Sequence, residues 1–160
     1  GFVGVNTAKA NHIVARAIEH GKISELLHYP DMKQEVKYGV NSRIDILLSC
    51  PIKGLCYIEV KNTTLLEDDS VLFPDAVSSR GLKHLHELSQ MVKDGHRAVM
   101  FYLVNRSEGS HFKPATAIDP AYSKGLSEAL AAGVEVLAYR AKHTLEGIQI
   151  GESLPVQVGN

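Results

Sequence analysis

The chain has 160 residues, 44% of them hydrophobic, and a net charge of −1 from 17 basic and 18 acidic side chains. That size supports one domain with a real core, and near-neutrality excludes a uniformly basic surface, so a polyphosphate partner must be held by local clusters or by another domain. No apolar run is long enough to span a membrane, no signal peptide is visible, and two cysteines, Cys50 and Cys56, do not make a secreted disulfide scaffold. The expectation is a soluble protein of a reducing compartment, the cytoplasm. Because the chain begins at Gly1 rather than Met, it reads as a piece of a longer protein.

After a glycine-containing opening segment, Asn6 or Thr7 caps a helix over residues 8–20, with Ile13, Val14, Ala17 and Ile18 as its apolar face and Gly21 just past its end. Asn11 and Arg16 lie off that face. Residues 33–38 read as a first strand, and Gly39-Val40-Asn41-Ser42 as a tight turn into the second. Ile44, Ile46 and Leu48 then alternate with Asp45, Leu47 and Ser49, and Ile58, Val60 and Asn62 with Tyr57, Glu59 and Lys61, which is strand periodicity. Pro51 and Gly54 punctuate the connection. Residues 62–75 are less regular; Glu67-Asp68-Asp69 reads as a solvated turn in preference to an ordered loop at the site.

Ser78 or Ser79 caps a long helix over residues 80–93. Its buried stripe is Leu82, Leu85, Leu88 and Val92, and Arg80, Lys83, His84 and Glu87 fall on the face away from it. Residues 98–104 are almost wholly apolar, as in a central strand buried on both sides. Asp119-Pro120 is an N-cap and N1 pair for a helix that buries Tyr122, Leu126, Ala129 and Leu130 and stops at Gly133. Strands follow at residues 134–141 and 147–150, and the tail from Glu152 looks loose. The order of helix, three antiparallel strands, helix, strand, helix, strand gives a mixed α/β sandwich.

The central hairpin carries the chemistry. Folded about Ile52, it sets Asp45 directly opposite Glu59, and Lys61, two residues on, points to the same face. Like charges opposite one another cost stability, so one carboxyl should titrate high unless a cation lies between them. Glu-x-Lys is a short pattern, and it occurs twice, at Glu35-Val36-Lys37 and Glu59-Val60-Lys61. The second is favoured by Asp45 a hairpin's length upstream, by its apolar strand and by its register. Two readings stay open: a surface ion pair of Glu59 with Lys61, or a divalent-metal site. A hard ion such as Mg²⁺ takes one or two carboxylates, a main-chain oxygen such as that of Val60, and waters; it polarises a phosphodiester while Lys61 steadies the developing charge. The eight histidines show no zinc spacing. His84 shares a face with Arg80 and Lys83, either as a phosphate-contacting surface or as an ordinary solvated face.

Taken together, Ser42-Arg-Ile-Asp-Ile-Leu-Leu, Tyr57-Ile-Glu-Val-Lys-Asn-Thr-Thr-Leu, Leu72-Phe-Pro-Asp-Ala, Arg80-Gly-Leu-Lys-His-Leu-His-Glu-Leu and Gly95-His-Arg-Ala-Val resemble the sugar fermentation stimulation protein A family. Gly4-Val-Asn-Thr and Ala132-Gly-Val-Glu-Val-Leu-Ala-Tyr add to the match. The resemblance covers almost the whole chain, in order. It implies the PD-(D/E)XK, restriction-endonuclease-like α/β fold, a mixed central sheet flanked by helices, over residues 1–152, with a C-terminal tail at 153–160. It implies also that the family's N-terminal OB-like domain, a fold that commonly binds single-stranded nucleic acid, is absent from this chain.

By the same resemblance, Asp45 is the metal-binding acid, Glu59 the second acid and Lys61 the catalytic lysine, with Mg²⁺ or Mn²⁺ as cofactor. Arg80, Lys83 and His84 match the family's Arg-Gly-x-Lys-His run and line the substrate side. The proline usual before the first acid is replaced by Ile44, and Glu19 sits late for the extra helix glutamate of some relatives. The expected function is a metal-dependent phosphodiesterase acting on DNA or RNA. The alternative is a non-catalytic DNA-binding regulator of sugar (maltose) metabolism that keeps the nuclease fold; a third reading is a metal-stabilised domain that only positions the OB-like partner.

Overall fold

The computed structural model describes residues 7–159; the expected opening segment and a cap at Asn6 lie outside them. Helix α1 (Thr7–Glu19) is followed by a hairpin pair of strands, β1 (Asp31–Tyr38) and β2 (Ser42–Cys50), and by β3 (Gly54–Thr63). Two short strands, β4 (Leu65–Glu67) and β5 (Ser70–Phe73), precede α2 (Ser79–Lys93). Then come β6 (Arg97–Val104), β7 (His111–Pro114), α3 (Pro120–Ala132), β8 (Glu135–Thr144) and β9 (Gly147–Ser153).

Six strands form one mixed sheet in the order β1-β2-β3-β6-β8-β9. β3, β6 and β8 run parallel, while β1, β2 and β9 join antiparallel. Parallel neighbours need long crossovers, and here these contain α2 and α3. Every residue of β6 from Ala98 to Val104 is fully buried, as its unbroken apolar run requires of a central strand. One side of the sheet meets α1 through Val14, Ile46, Ile58, Val99 and Phe101. The other meets α2 and α3 through Leu85, Leu88, Tyr102, Tyr122 and Leu126. Burying a leucine fully contributes roughly 1.5–3 kcal/mol, so these two layers are the main source of stability.

The helix ends follow their sequence signals. Ser78 accepts the Gly81 N–H at 2.9 Å, and Asp119 accepts the Tyr122 N–H at 3.0 Å with one oxygen and the Ser78 N–H at 2.8 Å with the other. One carboxylate thus caps α3 and ties it to the start of α2. Gly133 closes α3 in the left-handed region, with φ of 109°.

Four expectations change. The stretch after β3 is not irregular: β4, β5 and β7 form a second, three-stranded sheet, and Glu67, Asp68 and Asp69 are the exposed turn at its tip. The residues after Glu152 are not loose. Leu154 is buried, its N–H donates to Ala138 O at 2.8 Å, and Phe112 exchanges main-chain hydrogen bonds with Pro155 and Gln157. Leu130 is exposed, because the α3 face that meets α2 is carried by Tyr122, Gly125, Leu126 and Ala129. Finally, His84 belongs to the buried side of α2, with Gly81, Leu85 and Leu88.

Candidate active site

β2 and β3 pair as the alternation requires, with Ile46 opposite Ile58 and Leu47 opposite Tyr57. The ladder stops there, one position short of Asp45 and Glu59. Two carboxylates facing each other in a closed ladder would repel. Instead the Asp45 side chain reaches across, and its Oδ2 accepts the Val60 main-chain N–H at 2.7 Å. Its Oδ1 accepts from Asn11 Nδ2 of α1 at 3.0 Å. Asn11 is a site residue that helical periodicity placed off the apolar face of α1; only the docking of α1 on the sheet brings it here.

Glu59 is 4% exposed. Its Oε2 lies 3.0 Å from Lys61 Nζ and 3.2 Å from His84 Nδ1, and those two nitrogens are 3.1 Å apart. Its Oε1 is buried without a hydrogen-bond partner among the described residues. A buried carboxylate oxygen left bare costs free energy, so Oε1 is the point in the site with the strongest unmet demand for a cation or a donor.

The two carboxyls titrate apart. Burial, then the Glu59 charge, push Asp45 up from 3.8 to about 6, against the Val60 N–H and Lys61. Burial also acts to raise Glu59, but the His84 hydrogen bond and the Lys61 charge outweigh it and hold Glu59 below its usual value. Burial sets Asp45 high while His84 and Lys61 hold Glu59 low, so different surroundings separate the two carboxyls.

The substrate face proposed for α2 divides. His84 turns inward onto Glu59 and Lys61. Lys83 stays exposed and donates to Val40 O at 2.7 Å, in the β1–β2 turn. Arg80 is exposed in the first turn of α2, one turn before His84. Glu87, also expected in solvent, accepts from Ser42 Oγ at 2.5 Å and from the Val40 N–H at 2.9 Å, and so fixes the turn that leads into β2. Tyr38, which no sequence signal singled out, stacks on Tyr57 with ring centroids 5.6 Å apart. Its buried hydroxyl has no partner among the described residues. Burial, then the charges of Glu59, Glu87 and Asp45, raise its pKa. Among the described residues no three His, Cys, Asp or Glu side chains converge on one point. A cation here would therefore rely on two carboxylates, a main-chain oxygen and waters, the pattern of a hard ion.

Comparison with known proteins shows what the chain is similar to. Residues 8–147 match the family model described as the Sugar fermentation stimulation protein RE domain, RE denoting restriction-endonuclease-like. The sugar fermentation stimulation protein homolog of Geobacter sulfurreducens is 51% identical over 99% of this chain and 67% of its own length. That of Paramagnetospirillum magneticum is 47% identical over 98% of this chain and 66% of its own. The solved structure of Pyrococcus furiosus SfsA in complex with Ca²⁺ superposes with a TM-score of 0.88 at 33% identity, covering 96% of this chain and 66% of that one. The chain thus spans about two thirds of the length of the relatives it matches.

Proposed function

The chain belongs to the sugar fermentation stimulation protein family, as its restriction-endonuclease-like domain, and from that premise we propose that it is a metal-dependent phosphodiesterase acting on DNA or RNA. The observation that carries the reading is Glu59 Oε1, a buried carboxylate oxygen with no partner among the described residues, close enough to Asp45 for its charge to raise that carboxyl's pKa. Asp45 and Glu59, with the main-chain oxygen of Val60, would hold Mg²⁺ or Mn²⁺. The donor set is all oxygen, which suits such ions, and the Pyrococcus relative is described with Ca²⁺ bound. When bound, an ion of this kind polarises a phosphodiester and makes water more acidic.

The chain's own groups do the rest. Asn11 and the Val60 N–H orient Asp45. His84 Nδ1, donating to Glu59 Oε2, orients that carboxylate beside Lys61. Lys61 Nζ brings a positive charge and N–H donors to where charge develops on a phosphoryl oxygen. Arg80 and Lys83 would contact substrate from the rim of α2. The family's OB-like domain, in the third of the relatives' length not spanned here, would be a further partner. No helix among the described residues is long and apolar enough to cross a membrane, and a cytoplasmic nucleic-acid enzyme fits that.

A second reading has one observation in its favour. Lys61 and His84 both contact Glu59 Oε2 and offset its charge, as in a DNA-binding regulator of sugar metabolism that kept the fold and lost turnover. Calorimetric titration of Mn²⁺ into wild type and Asp45→Asn separates the two. Binding by wild type alone is expected; no binding by either overturns the enzyme reading and leaves the regulator.

A further inference from the structure

A groove of about 850 Å³ lies away from Glu59 and Lys61, between α1 and the β8–β9 hairpin. Lys9, His12, Arg16 and His20 come from the helical segment, Lys22 follows them, and Lys142 faces them from β8. The spacing 9, 12, 16, 20 is that of one helical stripe, and the only acid on α1 is its last residue, Glu19. Two acids line the groove: Glu146, and Glu152, which is paired with Arg140 at 2.9 Å. In a chain whose net charge is −1, this is a concentrated basic surface. The floor is aliphatic, with Ile148 and Ile150 of the edge strand β9, and no aromatic ring of Phe, Tyr or Trp lines it.

We propose that this groove binds the sugar-phosphate backbone of a nucleic-acid duplex and leads it toward Asp45. The inference deepens the phosphodiesterase reading, and rests on it for the direction of approach. Lys9 and His12 flank Asn11, whose amide holds the Asp45 carboxylate at 3.0 Å, so the groove begins within one helical turn of the candidate site. From Lys9 to His20 the stripe rises about 16 Å at ~1.5 Å per residue. Measured along a duplex axis, that length corresponds to four to five base-pair steps at ~3.4 Å each. Single-strand grooves work by stacking bases on aromatic rings; this one offers cations over an aliphatic floor, which suits phosphates and not bases.

The test is anisotropy of a labelled 30-base-pair DNA with the 160-residue chain in EDTA, across a salt series. The groove variant is Arg16→Glu with Lys22→Glu and Lys142→Glu, three exposed positions. The control, equal in charge, is Lys33→Glu with Lys93→Glu and Lys124→Glu. The groove variant should bind at least tenfold more weakly, and its log affinity against log salt should flatten by about 0.9 for each phosphate no longer neutralised; the control should stay within about threefold. Equal weakening in both variants, no effect in the groove variant, or no binding by wild type overturns the proposal. Tighter binding of a 30-base single strand through the same residues, or displacement of the duplex by polyglutamate at equal charge, overturns it as well. A cooperative urea unfolding transition matching that of wild type shows that the groove variant is folded, and Mn²⁺ calorimetry is run beside it. The calorimetry separates the two ideas, since metal binding at Asp45 stands or falls independently of the groove.

Discussion

Asp45 Oδ2 accepts the Val60 N–H at 2.7 Å at the point where β2 and β3 stop pairing. A side chain closes the end of the ladder, and in doing so lies beside the Glu59 carboxylate. Its titration shows the cost. The folded pKa, about 6, is above the ordinary 3.8, chiefly through burial and then the Glu59 charge. A raised carboxyl binds its proton more tightly in the folded state, so its stabilising contribution is complete below pH ~4 and is lost as pH rises through about 6. At pH 8, without metal, the ionised carboxylate is a net burden.

Asp45→Asn should therefore stabilise the metal-free protein at pH 8 by about 1–3 kcal/mol, taking ~1.36 kcal/mol per pKa unit. The gain should vanish below pH 4. Asparagine can still accept the Val60 N–H, and Asn11 can turn its amide to match. Urea unfolding in EDTA at both pH values measures this. Excess Mn²⁺ should reverse the order at pH 8, because ligand stabilises only the protein that binds it.

Lys61→Met removes the ammonium 3.0 Å from Glu59 Oε2 and keeps most of the volume. Cleavage of a nucleic-acid substrate should fall at least ~10²-fold, while Mn²⁺ affinity is unchanged or higher, since a competing positive charge has gone. Unchanged cleavage would remove Lys61 from the mechanism; lost Mn²⁺ binding would make it structural.

His84→Ala deprives a buried carboxylate of one of its two partners. Hydrogen bonds to charged groups contribute about 1.5–3 kcal/mol, so unfolding in EDTA should show a loss of about 2 kcal/mol. In a Glu59→Gln background the same change should cost less, and the difference, from a double-mutant cycle, is the coupling between them. Equal costs would mean that His84 only fills space.

The central hairpin was legible in the sequence as far as Ile46 opposite Ile58, because the turn about Ile52 set its register; alternation fails at Asp45, where Ile44 joins the α2 layer while Ile46 and Leu48 pack with α1. The rest of the site depended on docking. His84 and Glu87 are polar, and periodicity sends polar residues of an amphipathic helix to water; what holds them inward is a charge on β3 and a turn between β1 and β2, both far away in the chain. Asn11 was invisible for the same reason. β4, β5 and β7 have only three or four residues each, too few for alternation to register. The tail reads as polar because Leu154, Val156 and Val158 are separated by Pro155 and Gln157, yet it links the two sheets, with Leu154 on Ala138 of β8 and Pro155 on Phe112 of β7. Leu154→Ala should cost about 2 kcal/mol on urea unfolding.

Gly39 gives the last prediction. It turns the chain from β1 into β2 with φ of 58°, and a Cβ there would lie 2.2 Å from Glu87 Oε2. An L side chain pays about 1–2 kcal/mol for that backbone region, and here it would also displace the carboxylate that holds Val40 and Ser42. Gly54 is the internal control: its φ is 82°, but a Cβ there meets nothing within 4 Å. Gly54→Ala should show the backbone cost alone, and Gly39→Ala clearly more. Because Glu87 anchors the turn that feeds Ser42 into β2, Gly39→Ala should also weaken Mn²⁺ binding, which Gly54→Ala should leave alone. Matching unfolding energies for the two variants would mean that Glu87 swings aside freely and that its hydrogen bonds to the turn contribute little to the site.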